Sequence, residues 1–223
     1  MGHNIILADD HGALMKPVTK TILLCVIAEI GNIISSFIVA WLKLPCFLDT
    51  VFSAAITFYA GLVPGLIVAG LFNPVMMVLR CSAAGVSYAV YDCLYAICGM
   101  LIVFATWLFS RNKREFLFSR TITVLYLLII VLFSSFLSFF TATALDTFVQ
   151  PLFHTSTGFS VFDNISGVLR QLKMGTFLSY LVPRIPLTVL DRLVSTFAAF
   201  GLYKLMVRLD NHKQMKDVEV ENV

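Results

Sequence analysis

The chain has 223 residues, of which 59% are hydrophobic and only 13% charged, with a mean hydropathy of +0.89. A soluble domain carries about a quarter charged residues, and 20 Phe set against 16 bases and 13 acids would leave large apolar patches in water, so a soluble enzyme or binding domain is excluded. The formal charge of +3 does not mark a nucleic-acid binder, because the bases gather in short groups at the ends of apolar runs, as a bilayer requires.

Residues 1–17 read as a cytoplasmic N-terminal segment without the Ser or Thr that N-myristoylation needs at position six. The first apolar run follows Lys16, Pro17 and Lys20 and ends in Ala40-Trp41-Leu42 rather than at a small-residue cleavage site, so it is expected to stay as a helix. A spanning helix needs roughly 20 apolar residues. The apolar runs predict an all-α, polytopic membrane protein with six transmembrane helices over 18–42, 45–59, 62–79, 86–109, 121–145 and 186–207. These make a transmembrane domain of residues 18–208, followed by a cytoplasmic tail over 209–223. The second and third runs are short and separated only by Ala60-Gly61-Leu62-Val63-Pro64-Gly65, which predicts a tight helical hairpin. Short segments interrupted by Gly and Pro line binding sites in transporters, and they also serve as simple packing turns.

Basic residues concentrate in three places: Lys16 with Lys20, Arg111-Asn112-Lys113-Arg114-Glu115 with Arg120, and Lys204, Arg208, Lys213 and Lys216. Six crossings put all three on one side, which the positive-inside rule makes cytoplasmic, so the N- and C-termini are both expected inside. The longest connection, 146–184, then lies outside. Within it Ile165, Val168, Leu169 and Leu172 recur at i, i+3, i+4 and i+7, one apolar face of a short helix that Ser160 or Asp163 would cap. That helix is expected on the outer membrane surface or as a lid.

Ionisable groups inside apolar runs are the candidates for function, since charge at membrane depth must face a cavity or a partner. Asp49 opens the second predicted helix, Asp146 closes the fifth, Asp191 opens the sixth, and Asp92 lies just inside the fourth, all toward the outer boundary. Arg80, Arg184 and Arg192 stand at similar depth. For Asp49 and Asp191, helix capping and ligand binding are compatible readings. Glu29, beside Gly31 and Asn32 within the first helix, has no capping role and must pair, protonate or face water. Asn73, before Pro74, needs a hydrogen-bond partner of its own. Gly31-x-x-x-Ser35 and Gly61-x-x-x-Gly65 permit close helix approach, within the chain or against another membrane protein. Tyr88, Tyr91 and Tyr95 suit stacking on a ring or plain packing.

Cys25, Cys46, Cys81, Cys93 and Cys98 form no C-x-x-C pair, and His3, His11, His154 and His212 are scattered, so neither a metal centre nor a cofactor is expected. A Cys46–Cys81 bridge is open, with buried thiols as apolar filler the alternative. Neither G-x-x-x-x-G-K-[ST], G-x-S-x-G nor H-E-x-x-H occurs, which argues against an enzyme.

Leu44-Pro45-Cys46-Phe47-Leu48-Asp49-Thr50-Val51-Phe52, with Tyr59-Ala60-Gly61-Leu62-Val63-Pro64-Gly65 and Gly70-Leu71-Phe72-Asn73, resembles an L-P-x-x-L-D stretch followed by spaced glycines and Asn. That pattern is found in the substrate-capture components of energy-coupling-factor transporters. Val189-Leu190-Asp191-Arg192-Leu193-Val194-Ser195, with Ala198-Ala199-Phe200-Gly201-Leu202-Tyr203, is similar to the sixth helix of the same family. The resemblance covers about a quarter of the chain. It implies a non-enzymatic subunit in the cytoplasmic membrane that takes a vitamin or similar small molecule from outside. Its implied partners are a transmembrane coupling subunit and cytoplasmic ATPases that drive a toppling motion. Carried over, it points to Asp49, Asn73, Asp92, Asp191 and Arg192 for substrate, with 146–184 as gate. The family's coupling surface on the first helix, often A-x-x-x-A, is matched only approximately by Ala28-x-x-x-Asn32 and Gly31-x-x-x-Ser35, which points to Ala28, Gly31 and Ser35. Similar L-P-x-x-L-D patterns occur in membrane sensor modules, and a sensor ending at Val223 would signal through a separate effector. A stand-alone carrier with Glu29 and Asp92 relaying protons is a third reading.

Overall fold

A computed structural model describes residues 15–42, 44, 46–84, 90–153 and 160–221, and among these every regular element is helical. The N-terminal segment up to residue 14, Lys43, Pro45, Val86, Tyr88 and His154 lie outside the described residues. The helices are α1 (Met15–Leu42), α2 (Val51–Ala60), α3 (Leu62–Ala84), α4 (Val90–Leu94), α5 (Ala96–Ser110), α6 (Lys113–Phe116) and α7 (Arg120–Ala144). A π-helical turn, Leu145–Val149, continues α7 into α8 (Gln150–Phe153), and α9 (Ser160–Gln171) and α10 (Thr176–Glu221) complete the chain.

Five helical stretches among the described residues are long and apolar enough to cross a membrane: Val18–Leu42, Leu62–Ser82, Tyr91–Ser110, Arg120–Phe153 and Thr176–His212. Their outward faces are apolar, with Ile22, Val26, Ile30, Phe37 and Trp41 of α1 and Leu125, Leu132 and Phe136 of α7 exposed. Such a surface needs lipid as its solvent, and the chain is a multi-pass membrane protein.

Two elements differ from expectation. The last long helix begins at Thr176, ten residues before the predicted start, and carries Pro183 and Pro186 in its interior. Away from water a helix is the one local way to satisfy the backbone, so the chain tolerates the missing N–H groups rather than unravel. Asp191 is therefore well inside α10 and does not open it. The second predicted helix is represented by α2, ten residues or about 15 Å, half of a ~30 Å hydrocarbon core.

Contacts at the two ends of the bundle give the direction of each element. At one end, Lys20 of α1 bonds to Tyr59 of α2 and to Asp210 of α10, and Lys113 donates to the Phe58 carbonyl at 2.8 Å. At the other, Asp146 after α7 meets Tyr91 of α4, Tyr95, and Arg184 of α10. α1, α3 and α7 thus run away from the Lys113 end, whereas α2, α4–α5 and α10 run toward it.

α2 lies at the centre. Seven of its ten residues are buried, and Ala54, Ala55 and Phe58 join Phe116, Leu127, Ile130, Ala199 and Phe200 in the main apolar cluster. The hairpin to α3 turns on Gly61, whose φ of +95° suits glycine. One turn on, a Cβ at Gly65 would come within 2.0 Å of Thr57 Oγ1 and 2.9 Å of Val103. α9 packs beside α10 with Ile165, Val168 and Leu172 exposed, so its apolar face does not close over the bundle.

The hairpin gives a direct comparison of two helical glycines. Gly65→Ala should destabilise the bundle by about 1–3 kcal/mol through overpacking. Gly201→Ala, whose Cβ would meet nothing within 4 Å, should be neutral or stabilising. Thermal unfolding of both variants in detergent checks the contrast.

Candidate functional site

Helix α2 starts in the interior, and a helix start leaves backbone N–H groups that need acceptors. The N-cap residue, Thr50, makes no side-chain cap bond. Its hydroxyl instead accepts from the Arg192 guanidinium. Asn32 of α1 reaches across to the same turn: its Oδ1 accepts from Phe52 N at 3.0 Å and its Nδ2 donates to Ser53 Oγ at 2.8 Å.

The segment leading into α2 is held from α10. Asp191 Oδ1 accepts from Phe47 N at 2.7 Å and from Leu48 N at 2.9 Å, and its other oxygen pairs with Arg192. Leu48 has a φ of +47°, a conformation a branched side chain rarely adopts, and the two bonds to Asp191 keep it there. Arg192 also reaches Asp49 Oδ1 at 3.4 Å. Asp191 and Arg192 are 0% and 3% exposed, whereas the Asp49 side chain is 27% exposed. Arg192 Nε and Ser195 Oγ, both buried, have no hydrogen-bond partner among the described residues.

Asp49, Asp191 and Arg192 come together. Neither acid caps its own helix: Asp49 precedes the cap position, and Asp191, inside α10, supplies acceptors to a different segment. Asn73 stays apart, half-buried on α3 before Pro74 and not among the groups bonded to this cluster. Asp92, on α4, is in electrostatic reach of Arg80 instead. Cys46 and Cys81 are not bridged. Of the residues expected to meet a coupling partner, Ala28 is 2% exposed in a cluster with Ile56 and Val68, while Gly31 and Ser35 are half-buried. A Cβ at Gly31 would fall 2.8 Å from the Phe52 ring, so this glycine lets α2 approach α1, and Ser35 donates to the Gly31 carbonyl at 2.9 Å.

A second polar centre escaped the sequence reading as a unit. The π-turn presents Asp146, fully buried, to the Arg184 guanidinium and to the hydroxyls of Tyr91 (2.7 Å) and Tyr95. Arg184 lies seven residues before Asp191, about 10 Å along α10. The requirement that every ionised group at depth find a partner was the available signal, but not which acid takes which base. At the opposite end Lys113 sits among Phe58, Phe116 and Tyr203, its Nζ 5.1 Å from the centre of the tyrosine ring, and burial pulls its pKa below the usual lysine range. Its charge lies at the C-terminus of α2, where the helix dipole favours it. Glu29, on α1, has both carboxylate oxygens shielded and no hydrogen-bond partner among the described residues.

The geometry orders the charges by consequence. Removing one partner of a buried pair leaves an uncompensated charge at a cost of about 3–5 kcal/mol, so Arg192→Met and Asp191→Ala should each lower the thermal midpoint sharply. Lys20→Met breaks a solvent-exposed pair with Asp210, worth about 0–1 kcal/mol, and an exposed hydrogen bond to Tyr59, and should lower the midpoint far less.

Comparison of the chain with protein-family profiles, with curated proteins and with solved structures returns no match.

Proposed function

We propose that this protein is the substrate-binding membrane subunit of an ATP-powered importer of the energy-coupling-factor type, taking up a vitamin or similar small molecule and doing no chemistry itself. The observation that carries the reading is the interrupted second pass: residues 46–50 lead without regular structure into α2, whose start meets the Asp49–Asp191–Arg192 group inside the bundle. Transporters place substrate sites where a discontinuous helix ends inside the membrane-spanning domain, because its free backbone groups and converging charges meet the ligand there. The resemblance to the substrate-capture family supports the same reading. Its two principal motifs, 44–52 and 189–195, lie far apart in the chain and touch through Asp191, Arg192, Phe47, Leu48 and Thr50.

On this reading the chain crosses the cytoplasmic membrane six times, with residues 46–60 as the second pass. The Lys113 end, which holds Lys20, Arg111, Arg114 and Arg208, is cytoplasmic, and so are both termini. The Asp146 end faces outward, with the Asp146–Arg184 pair between the outside and the Asp191 group. The ATPases and the coupling subunit are separate chains. With Ala28 and Gly31 taken up by α2, docking falls to the exposed apolar faces of the long helices. A proton-linked carrier is the second reading, favoured by one observation: Glu29 has no hydrogen-bond partner among the described residues although both its oxygens are shielded.

A tagged pull-down in mild detergent, with mass spectrometry of proteins and small molecules, tests the proposal. An ATPase pair, a coupling subunit and a retained metabolite are the expected recovery. Uptake by the isolated chain in vesicles, collapsing with the proton gradient and lost in Glu29→Gln, would favour the carrier instead.

A further inference from the structure

Charge around the start of α2 does not balance. Asp191 is fully buried, bonded through one oxygen to two backbone N–H groups and through the other to Arg192, so these two residues neutralise each other. Asp49 then remains as a surplus carboxylate, reached by the guanidinium only at 3.4 Å and still partly exposed. No other base among the described residues is placed to balance it. Arg184 is committed to Asp146, Arg80 interacts with Asp92, and Lys113 and Lys20 lie at the far end of α2. Nor does Asp49 seal the helix start, where no side-chain cap bond forms.

Arg192, which reaches Asp49, and Ser195, one turn further along α10, each carry a buried polar atom, Nε and Oγ, with no hydrogen-bond partner among the described residues, and each residue is only 3% exposed. A buried N–H without an acceptor and a carboxylate that shares its counter-charge with a second acid are each unfavourable in a low-dielectric interior, and one ligand can relieve both. We infer that the start of α2 binds an organic ligand with one positively charged nitrogen, which Asp49 holds, and a hydrogen-bond acceptor, which takes the Arg192 Nε–H and the Ser195 hydroxyl. This rests on the substrate-binding reading above and names the class of substrate. An anion would meet the surplus carboxylate. A metal ion would lack ligands, since no group of three His, Cys, Asp or Glu side chains able to hold one occurs among the described residues.

The test uses the full chain, purified in detergent and incubated with a defined mixture of primary and quaternary ammonium compounds, neutral heterocycles, carboxylates and phosphates. Species retained after desalting are identified by mass spectrometry, in parallel for Asp49→Asn and Asp49→Glu. Both variants leave the Asp191–Arg192 pair in place, and their thermal midpoints verify folding. The wild type should retain a nitrogen cation. Asp49→Asn should cut that retention about tenfold or more, and Asp49→Glu should keep part of it. A retained anion or neutral compound, or a cation held equally by Asp49→Asn, overturns the inference and leaves the substrate-binding reading standing. Retention of nothing overturns both. A midpoint raised by sodium over potassium in the wild type alone would assign the site to a metal ion and overturn the organic ligand. Where Asp49→Asn fails to fold, the charge of the species retained by the wild type decides.

Discussion

A carboxylate and a guanidinium withdrawn from solvent are stable only if almost every polar atom they carry finds a partner. Asp191 and Arg192 meet that condition by reaching from the middle of one long helix to the start of a short one. Asp191 bonds the backbone of Phe47 and Leu48, and Arg192 bonds the side chains of Thr50 and Asp49. Without the pair, the half-buried N–H groups of Phe47 and Leu48 would lose their carboxylate acceptor. The short helix, its hairpin to α3 and the central apolar cluster all follow from that anchorage.

Both ends of α2 are treated alike electrostatically. Acidic groups stand at its start and Lys113 donates to the Phe58 carbonyl near its end, so charge of the favourable sign meets each pole of the helix. Along α10 the polar contacts recur at separate levels: Arg184 with Asp146, Asp191 and Arg192 with α2, and Asp210 with Lys20 and Tyr59. Apolar packing fills the intervals.

Length and hydropathy alone made most of the architecture legible, because a bilayer leaves few alternatives to apolar helices. The boundaries were harder. The sixth helix was read from residue 186, yet the cost of an unbonded backbone in an apolar setting outweighs the loss of two N–H donors, and α10 runs through Pro183 and Pro186. At the site, Asp49, Asp191 and Arg192 were recognisable as charges needing partners, but their mutual pairing across some 140 residues was not, because no local pattern encodes it. Asn32, Thr50 and Ser195 stood in the sequence reading only as neighbours or motif positions and not as site residues, for a related reason: buried Asn, Thr and Ser are common in membrane helices, and only the position of a neighbouring helix start makes these three distinctive. Asn73 and Asp92 were grouped with the site on resemblance and apparent depth; neither is bonded to the cluster among the described residues, and Asp92 is within electrostatic reach of Arg80.

The claim on which the rest depends is that Asp191 fastens the approach to α2 inside the bundle. Residue-resolved amide hydrogen exchange in lipid nanodiscs measures this at Phe47 and Leu48, the two donors to its carboxylate. The account predicts slow exchange at both amides in the wild type, comparable to the interior of α2, and a rise of orders of magnitude in Asp191→Ala while the middle of α7 stays protected. Fast exchange at both positions in the wild type, unchanged by the substitution, would show residues 46–50 to be an ordinary solvent-facing loop and would contradict it.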